Sequence, residues 1–524
     1  MLLWLIATLN VSYAQNYAVD LGSNKKTKVF EDSLSAKKWL DKYIVKKQKK
    51  GFVKIKYNYT ENEGWQISLG KQYKIDTIIV NGKVLFTDEH VFNQPKNINT
   101  ILQDSIQDGY PFFKIQTDSV LERNSGATVY YSTKSGPKFI FGNVYATKPA
   151  VVKPSVLKKL IHWRTGVNFK LSQLNKINKQ LTSIPYLTLK TNPTLQFIDD
   201  SVHINIALAK KQVNQFDAII GFQPAENTGK TEVIADVNLQ LYNIAKRTDT
   251  WKLRWATPES NTQKLNAATT LPMLFNTPFG YSFDLFLLKQ DSSYIHSNIK
   301  NGIVFTPSFN TNVIIYTGIK KISPIGDNIN TVTSISNRSF GLKLNYQQLN
   351  NIFNPTIGWL IVADVSQGKQ KSSIQETTTN AVFNTFEGTA TNYIPVLKKI
   401  TLKQSLSGGS IATQGVVTQA ELFEIGGFSS FRGVNERFIR TSDYITYSFA
   451  PRYRLDALSF VEVFYDNVWF SNNQNKIINY WSVGAGFAFS TKGGIFSLSY
   501  AVSDIGNGLT PKNGKIHFGY INLF

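Results

Sequence analysis

The chain has 524 residues and carries 57 Lys and Arg against 35 Asp and Glu, which gives a net charge of +22. It has no cysteine, which excludes disulfides, thiolate metal sites, cysteine nucleophiles and a lipid-modified cysteine anchor. Residues 1–211 hold 31 Lys and Arg against 15 Asp and Glu. We interpret this excess as a solvated surface, with attraction to anionic lipid head groups or acidic protein partners as the alternative. The basic residues are scattered, so nucleic acid is not expected as a partner.

The N-terminus has the pattern of a secretory signal. Met1–Leu9 is an apolar run, and Ser12-Tyr13-Ala14 is a small-x-small sequence suited to signal peptidase. The run is too short to span a bilayer, which needs about 20 residues. We therefore predict a signal peptide over residues 1–14, with a buried terminal strand as the alternative. No later window is apolar throughout about 18 residues, so no membrane-spanning helix is expected.

Residues 15–211 mix helical and strand patterns. Helices are predicted from the capping residue Ser33 to Gly51, over Asn97–Asp108, from Pro154 and over Leu171–Thr182. Strands are predicted over Phe52–Tyr59, over Trp65–Leu69, before the turn at Asn81-Gly82, and over Thr128–Ser132, Tyr186–Phe197 and Val202–Ala209.

From residue 212 onward the pattern changes to short alternating strands separated by polar turns. The odd positions of Trp481–Phe489 are mostly large and apolar, while its even positions are small. This alternation is typical of a barrel strand that faces lipid on one side. About 310 residues, at roughly 19 per strand and turn, predict a transmembrane β-barrel of about 16 antiparallel strands. A soluble sandwich or propeller is the alternative, but no blade repeat is visible.

Patterns of enzymatic chemistry are missing from the sequence. The five histidines are far apart, and the chain has no nucleophile elbow, phosphate loop or calcium loop. We therefore expect no catalytic residues, no metal ligands and no cofactor.

The most conspicuous segment is Glu424–Val434, which places Arg432 among glycines inside the predicted barrel. A charge buried in a barrel lumen is costly unless it is paired, so we predict that Arg432 has a specific partner. The alternative is a solvated loop at the end of the barrel.

Three places together resemble the Omp85 superfamily, whose members insert or export other proteins at the outer membrane. The first is the turn Pro355-Thr356-Ile357-Gly358 before a strand. The second resembles the family's inward-folded loop, with matches at Gly426, Gly427, Arg432 and Gly433, and with the flanks Phe431 and Val434 exchanged in character. The third is Phe460–Phe470, which resembles a later barrel strand.

In that family an inward aspartate of the later strand pairs with the loop arginine. The resemblance therefore implies that Asp466, or Glu462 in a different register, is the partner of Arg432. Two residues depart from the family pattern: Val468 stands in place of a glycine, and Arg452 stands where many members have a glutamate.

Two further stretches resemble parts of these proteins. The C-terminal strand, with Gly519 and the terminal Phe524, is similar to the barrel assembly signal of outer-membrane proteins. In residues 15–211 a repeat of roughly 70 residues resembles the POTRA domain. The predicted domains are a partial POTRA-like domain over 15–72, two more over 73–136 and 137–211, and the barrel over 212–524.

The resemblance implies an outer-membrane protein with its N-terminal domains in the periplasm. Its function would be to assist the insertion of barrel proteins or the translocation of clients. A dedicated two-partner secretion transporter is the alternative within the family, and a passive porin or receptor is a more distant one. The expected partners are unfolded outer-membrane or secreted clients, outer-membrane lipids and periplasmic or inner-membrane accessory proteins. The seam between the first and last barrel strands, about Gln215–Phe222 and Lys515–Phe524, is weak in the family.

Overall fold

The structure of the protein is a computed structural model that describes residues 17–20, 28–30, 33–48, 50–60, 64–87, 94–123, 126–182, 184, 186–224, 231–259, 261–308, 310–326, 332–374, 377–415, 417–472, 474, 476–491 and 493–524. The predicted signal peptide over residues 1–14 lies outside these ranges. The chain forms two compact units. The first comprises residues up to Asn143 with Arg164–Asn175 and Leu195–His203, and the second comprises Val144–Trp163, Lys176–Thr194 and Ile204–Phe524.

The N-terminal part of the chain contains helices and small sheets. The helices are α1 (Ser33–Gln48), α2 (Gln94–Gln107), α3 (Pro154–Leu160) and α4 (Leu171–Thr182). The strands are β1 (Tyr17–Asp20), β2 (Lys28–Phe30), β3 (Lys56–Thr60), β4 (Gly64–Ser68), β5 (Ile75–Val80), β6 (Lys83–Thr87), β7 (Lys114–Arg123), β8 (Gly126–Lys134), β9 (Ile140–Ala146), β10 (Leu187–Leu189), β11 (Thr194–Ile198), β12 (Ser201–Ile206) and β13 (Leu208–Lys210). Among the described helices, none combines the length and apolar character needed to cross a membrane.

These strands form four small sheets, with the orders β2-β1-β4-β3, β6-β5-β8-β7, β11-β12-β9 and β10-β13. In the first sheet, Ala36 and Leu40 of α1 are fully buried together with Val19 and Ile67. The second sheet has its own core, formed by Val53, Ile78, Val129 and Tyr131. Each four-stranded sheet therefore buries a separate apolar cluster, as expected for consecutive small domains.

Two predicted strands of this region were wrong as single elements. Residues Tyr186–Phe197 form β10 and β11 instead, because Pro193 between them lacks an amide hydrogen to donate to a sheet. Residues Val202–Ala209 divide into β12 and β13, since β12 belongs to the three-stranded sheet whereas β13 pairs with β10. The sequence also did not reveal β1, β2 or β7.

The C-terminal part of the chain is a closed barrel of 16 antiparallel strands, which confirms the predicted architecture. Its first eleven strands are β14 (Gln215–Pro224), β15 (Thr231–Tyr242), β16 (Thr250–Glu259), β17 (Thr262–Leu271), β18 (Phe279–Gln290), β19 (Tyr294–Ser308), β20 (Thr311–Pro324), β21 (Ser334–Leu349), β22 (Gly358–Ile374), β23 (Thr377–Leu397) and β24 (Ile400–Thr413). A separate hairpin follows, formed by β25 (Phe423–Ile425) and β26 (Ile439–Thr441). The last five barrel strands are β27 (Asp443–Arg454), β28 (Phe460–Ser471), β29 (Ile477–Ser490), β30 (Ile495–Asp504) and β31 (Lys515–Leu523).

Side chains alternate between the two faces of the barrel wall. On β28 the outward residues Val463 and Trp469 are exposed, whereas the inward residues Phe464 and Asp466 are buried. Closure of the ring leaves no free sheet edge, so backbone donors and acceptors are satisfied between neighbouring strands. The wall thus presents apolar side chains to lipid and polar side chains to the lumen.

One glycine of the inner wall gives a test of this packing. Because Gly341 has no side chain, the ring of Tyr316 fills the adjacent space, and a Cβ atom at position 341 would lie 2.3 Å from the Tyr316 Cζ atom. We expect Gly341→Val to destabilise the barrel by about 1–3 kcal/mol through overpacking. The measurement is the temperature at which the folded band disappears in heat-modified gel electrophoresis. The control is Gly493→Ala, where the nearest atom would be 3.8 Å away, and an equal shift in both variants would contradict the packing argument.

Candidate functional site

The candidate site centres on the segment between β24 and β27, residues 414–442, which we call the lumen loop. Two consecutive glycines turn the loop back on itself, with φ of +141° at Gly426 and +78° at Gly427. A Cβ atom at Gly426 would lie 2.3 Å from the Asn435 carbonyl oxygen, and one at Gly427 would overlap the Glu436 carboxylate. Both positions therefore require glycine.

Arg432 points from the lumen loop to the barrel wall, where it meets two carboxylates. Its Nε and Nη2 atoms donate to the two oxygens of Asp466, each at 2.7 Å. Its Nη1 atom donates to Glu462 at 3.2 Å, and Nη2 also donates to the Ser448 hydroxyl at 3.2 Å. The side chains of Arg432, Asp466 and Glu462 are exposed by only 10%, 4% and 10%. The two candidate partners from the sequence thus contact the arginine together.

The strand β28 provides this site through its two-residue period. Glu462, Phe464 and Asp466 all face the lumen, so a ring stands between two carboxylates. The Arg432 guanidinium carbon lies 3.3 Å from the centroid of the Phe464 ring, which is a cation–π arrangement. Gly484 on the neighbouring strand leaves the space for that ring, since a Cβ atom there would lie 2.3 Å from the Phe464 Cζ atom.

Arg452 holds the second carboxylate in place. It lies directly across from Glu462 on β27, and its Nε atom donates to Glu462 at 2.7 Å. The Arg452 guanidinium also stacks 4.2 Å from the Phe460 ring centroid. The family's usual glutamate at this position would be one more carboxylate near the loop arginine. In the structure Arg452 is a second cation that shares Glu462 with Arg432, so two arginines face two carboxylates.

The lumen loop also packs through an apolar cluster. Phe431 and Val468 are both fully buried, and they lie in one cluster with Ile425, Val434 and Ile439. Val468, which departs from the family's glycine, therefore packs against the loop beside Arg432. On the far side, the Gly433 carbonyl accepts a hydrogen bond of 2.8 Å from the Ser503 hydroxyl.

This arrangement of barrel, inward loop and buried arginine can be compared with known proteins. The family model of the Omp85 superfamily domain matches residues 243–520. The chain belongs to the Omp85 superfamily. Membership and the barrel together place the protein in the outer membrane.

Several solved structures of Omp85 proteins resemble this one. CdiB from Acinetobacter baumannii aligns with a TM-score of 0.53 at 11% identity, covering 98% of this chain and 91% of that chain. CdiB from Escherichia coli aligns with a TM-score of 0.53 at 13% identity, covering 94% and 97%. BamA from Haemophilus ducreyi lacking POTRA domains 1–3 aligns with a TM-score of 0.49 at 14% identity, covering 82% and 94%. No curated protein matches the sequence. At these identities the structural likeness establishes the fold alone.

A second set of contacts fixes the start of the Omp85 lumen loop to the opposite wall. Glu421 accepts a hydrogen bond of 2.7 Å from Lys320 on β20 and another of 3.3 Å from Gln370 on β22. Lys320 also lies 4.0 Å from the ring centroid of Phe383. Glu424 pairs with Lys264 at 3.5 Å on β17 and with Arg437 inside the loop. Sequence reasoning missed these anchors, because nothing in their spacing links residues about 100 positions apart.

Between the loop and the wall lies a cavity of about 640 Å³. Its lining includes Arg432 and Lys403 on one side, and residues of β14 and β31 on the other: Asp217, Ile219, Gly519 and Ile521. The loop residue Phe428 also lies 5.6 Å, centroid to centroid, from the ring of His517 on β31. The loop therefore borders the pairing of the first and last strands from inside.

That pairing is short. β14 and β31 pair from Gln215↔Leu523 to Gly221↔His517, which is seven residues of each strand. β30 and β31 also pair over seven residues, whereas β22 and β23 pair over seventeen. Gly519 lies in this pairing, opposite Ile219, and the amide of the exposed Phe524 donates to the Asn214 carbonyl at 3.0 Å. The role of Gly519 and Phe524 as an assembly signal stays a prediction.

Within the described ranges, no three His, Asp or Glu side chains converge as a possible metal site. Arg432, Glu421 and Glu424 of the lumen loop each form an ion pair with a residue of the wall. The chemistry of the site is consequently that of a docking contact.

The arginine contact gives the first test of this site. Arg432→Ala would leave two buried carboxylates with less positive charge, and breaking one partner of such a pair costs roughly 3–5 kcal/mol. We expect a lower unfolding temperature in detergent and reduced activity in cells. The exchange Arg432→Asp with Asp466→Arg should restore part of the loss. The control is Lys476→Ala, an exposed cation after β28, which should change stability by less than about 0.5 kcal/mol. An Arg432→Ala protein as stable and active as the parent would show that docking does not depend on this residue.

The second anchor can be tested separately. Lys320→Ala leaves the Glu421 carboxylate, which is fully buried, without its cation, and we expect a loss of roughly 3–5 kcal/mol. The measurement is again the unfolding temperature, together with protease cleavage within the lumen loop. Lys289→Ala removes an exposed outward lysine from β18 and serves as the control. Equal behaviour of the two variants would argue against anchoring by Glu421.

Proposed function

We propose that this Omp85 protein assists the insertion of barrel proteins into the outer membrane or the translocation of client proteins across it. The observation that carries the proposal is the pinned lumen loop beside a cavity that reaches the β14–β31 pairing. A loop held by buried ion pairs keeps the lumen ordered, whereas β31 pairs over only seven residues with β14 on one side and with β30 on the other. A client segment could then be received where the wall is easiest to open.

The N-terminal region supports a role in receiving clients. We propose that its α+β units are POTRA-like domains in the periplasm. The outer strands of the two four-stranded sheets are β2, β3, β6 and β7, and residues Lys56–Tyr59 of β3 are all exposed. An exposed sheet edge has unpaired backbone donors and acceptors, so an unfolded client can add a strand to it.

The proposal includes the other expected properties of the chain. It needs no nucleotide, cofactor or metal, since the folding and burial of the client supply the energy, and it involves no catalysis and no nucleic acid. Outer-membrane lipids surround the barrel, and periplasmic or inner-membrane accessory proteins are further partners.

A dedicated two-partner secretion transporter is the second candidate. It is supported by the alignment with CdiB from two bacteria over most of both chains, although this likeness concerns the fold. Such transporters are expected to have two POTRA domains and a plug helix. Within the described residues, the N-terminal region has three successive groups of helices and sheets, and the four helices all precede the barrel. The described fold is compatible with both candidate functions, and the depletion experiment below distinguishes them. A passive porin is disfavoured by the loop that fills part of the lumen.

Depletion of the protein in its own bacterium, followed by quantitative proteomics of the outer membrane, tests the proposal. Loss of many barrel proteins would support an assembly function, and loss of one secreted protein would support the dedicated transporter. An unchanged outer membrane together with steady open-channel conductance of the purified protein would support a porin and refute the proposal.

The short strand pairing can be locked to test its part in the function. The chain has no cysteine, so Ile220→Cys with Phe518→Cys introduces a single disulfide across directly paired positions of β14 and β31. We expect the oxidised variant to lose complementation of depleted cells and to regain it under reducing conditions. The matched control is Val463→Cys with Ala485→Cys, which are paired on β28 and β29 away from the seam. If the locked seam retained full activity, opening at β14–β31 would be excluded.

A further inference from the structure

Four cations lie side by side on the outer surface of the barrel, and we call them the cationic patch: Lys321 of β20, Arg338 of β21, and Lys369 and Lys371 of β22. All four side chains are exposed. Their outward direction follows from their neighbours, because Asn337 and Gln370 are buried on the inner face and hydrogen-bond to each other at 3.2 Å. Successive residues of a strand point to opposite faces.

The register of the strands brings like charges together in this patch. Arg338 is the direct cross-strand partner of Lys369, and Ser336 stands between Lys321 and Lys371 in the next row. Like charges directly opposite each other destabilise a sheet. Along the described outward positions of β19–β24 there is no aspartate or glutamate to offset them. The arrangement is therefore suited to an anion from outside the protein.

The depth of the patch points to the membrane surface. Lys369 follows Trp359 by ten residues on β22, which spans about 25 Å along the membrane normal for a strand tilted by about 40°. This is the height of the apolar band of an outer-membrane barrel, and aromatic residues such as Trp359 mark one border of that band. Between the two borders most outward side chains of β20–β22 are apolar, and Ile315, Phe340, Leu342 and Val365 are exposed. The cations consequently stand at the other border, where lipid head groups lie.

The side chains around the cationic patch can bind sugar hydroxyls. Hydroxyl and amide groups occupy the outward positions in the same rows and the adjoining ones: Ser297, Ser323, Ser336, Gln367, Ser373 and Asn380. Such groups both donate and accept hydrogen bonds, whereas a bare phosphate accepts only. A head group that carries phosphate on a sugar matches both kinds of side chain.

We propose that the cationic patch binds the phosphorylated sugar head group of a glycolipid in the outer leaflet. Strands alternate in direction around the barrel, so the hairpins after β20 and β22 lie at the end opposite to Gln215, where the N-terminal region enters. Placement in the outer leaflet therefore depends on the proposed periplasmic location of that region. A phosphate between Arg338 and Lys369 offsets their mutual repulsion and ties the lipid to the wall across the barrel from the β14–β31 seam.

The test uses the full-length protein in phosphatidylcholine nanodiscs, with purified lipid A added as the probe. Native mass spectrometry then measures how much lipid A each variant retains. We expect Arg338→Gln with Lys369→Gln to weaken retention about 30-fold, since each cation near a lipid surface contributes on the order of 1 kcal/mol. The matched control is Lys476→Gln with Lys512→Gln, which removes two exposed cations from turns of the same barrel end on another wall and should change retention less than twofold.

Further variants and lipids decide between sources of the anion. The exchange Arg338→Lys with Lys369→Arg should retain lipid A, and Lys321→Gln with Lys371→Gln should repeat the loss if the first variant folds poorly. Undiminished retention by both glutamine variants would overturn the proposal. Equal retention of phosphatidylglycerol, or competition by millimolar inorganic phosphate, would show a site for any anionic lipid or for a bare anion and would overturn it as well.

The orientation is tested independently of lipid binding. A nanodisc has lipid at both ends of the barrel, so retention of lipid A does not depend on which end faces the cell exterior. Gln474→Cys places a single thiol in the described turn between β28 and β29, and labelling of intact cells with an impermeant maleimide reports that end as exterior. Absence of labelling would refute the orientation and the placement in the outer leaflet, while the nanodisc result would stand on its own.

Discussion

The buried charge of Arg432 is the constraint on which the candidate site depends. A guanidinium in a lumen needs hydrogen-bond acceptors and negative charge nearby, and the wall provides both through alternate residues of one strand. Glu462 and Asp466 are separated by Phe464, so the same two-residue period that forms the barrel also builds a seat with carboxylates on either side of a ring. Arg452 then balances the second carboxylate. The site therefore depends on the geometry of β28 as much as on the lumen loop.

Besides the contact of Arg432 with β28, the lumen loop contacts several other strands around the wall. Glu421 and Glu424 meet lysines of β20 and β17, while Gly433 and Phe428 meet β30 and β31. The lumen loop therefore contacts strands on both sides of the β14–β31 seam and connects them across the lumen. The pairing of β14 with β31 extends over seven residues, and so does the pairing of β30 with β31. The last strand, β31, is therefore held on both sides by the shortest pairings of the wall, so an opening there breaks the fewest hydrogen bonds.

The sequence predicted the barrel and its strand number well, because alternation of side chains is a local property that each strand carries by itself. The family resemblance predicted Asp466 or Glu462 as the partner of Arg432. It could not predict that both carboxylates contact the arginine, since this depends on the register with Arg452 and on the space left at Gly484. The anchor between Lys320 and Glu421 joins residues about 100 positions apart, and only the closed ring brings them together. The split of β12 from β13 likewise depends on which strands pair in three dimensions.

Lys320 and Lys321 show how far the alternation rule extends. They are adjacent on β20, but Lys320 points inward and finds Glu421, whereas Lys321 points outward among other cations. The protein satisfies the inner charge itself, at the cost of burying a pair whose stability depends on the loop. It has no described carboxylate on the outer face near Lys321, so the balancing charge has to come from the surroundings. The outer face of a barrel is surrounded by the membrane. Because the cations lie at the border of the apolar band, the lipid head groups at that level can supply the negative charge.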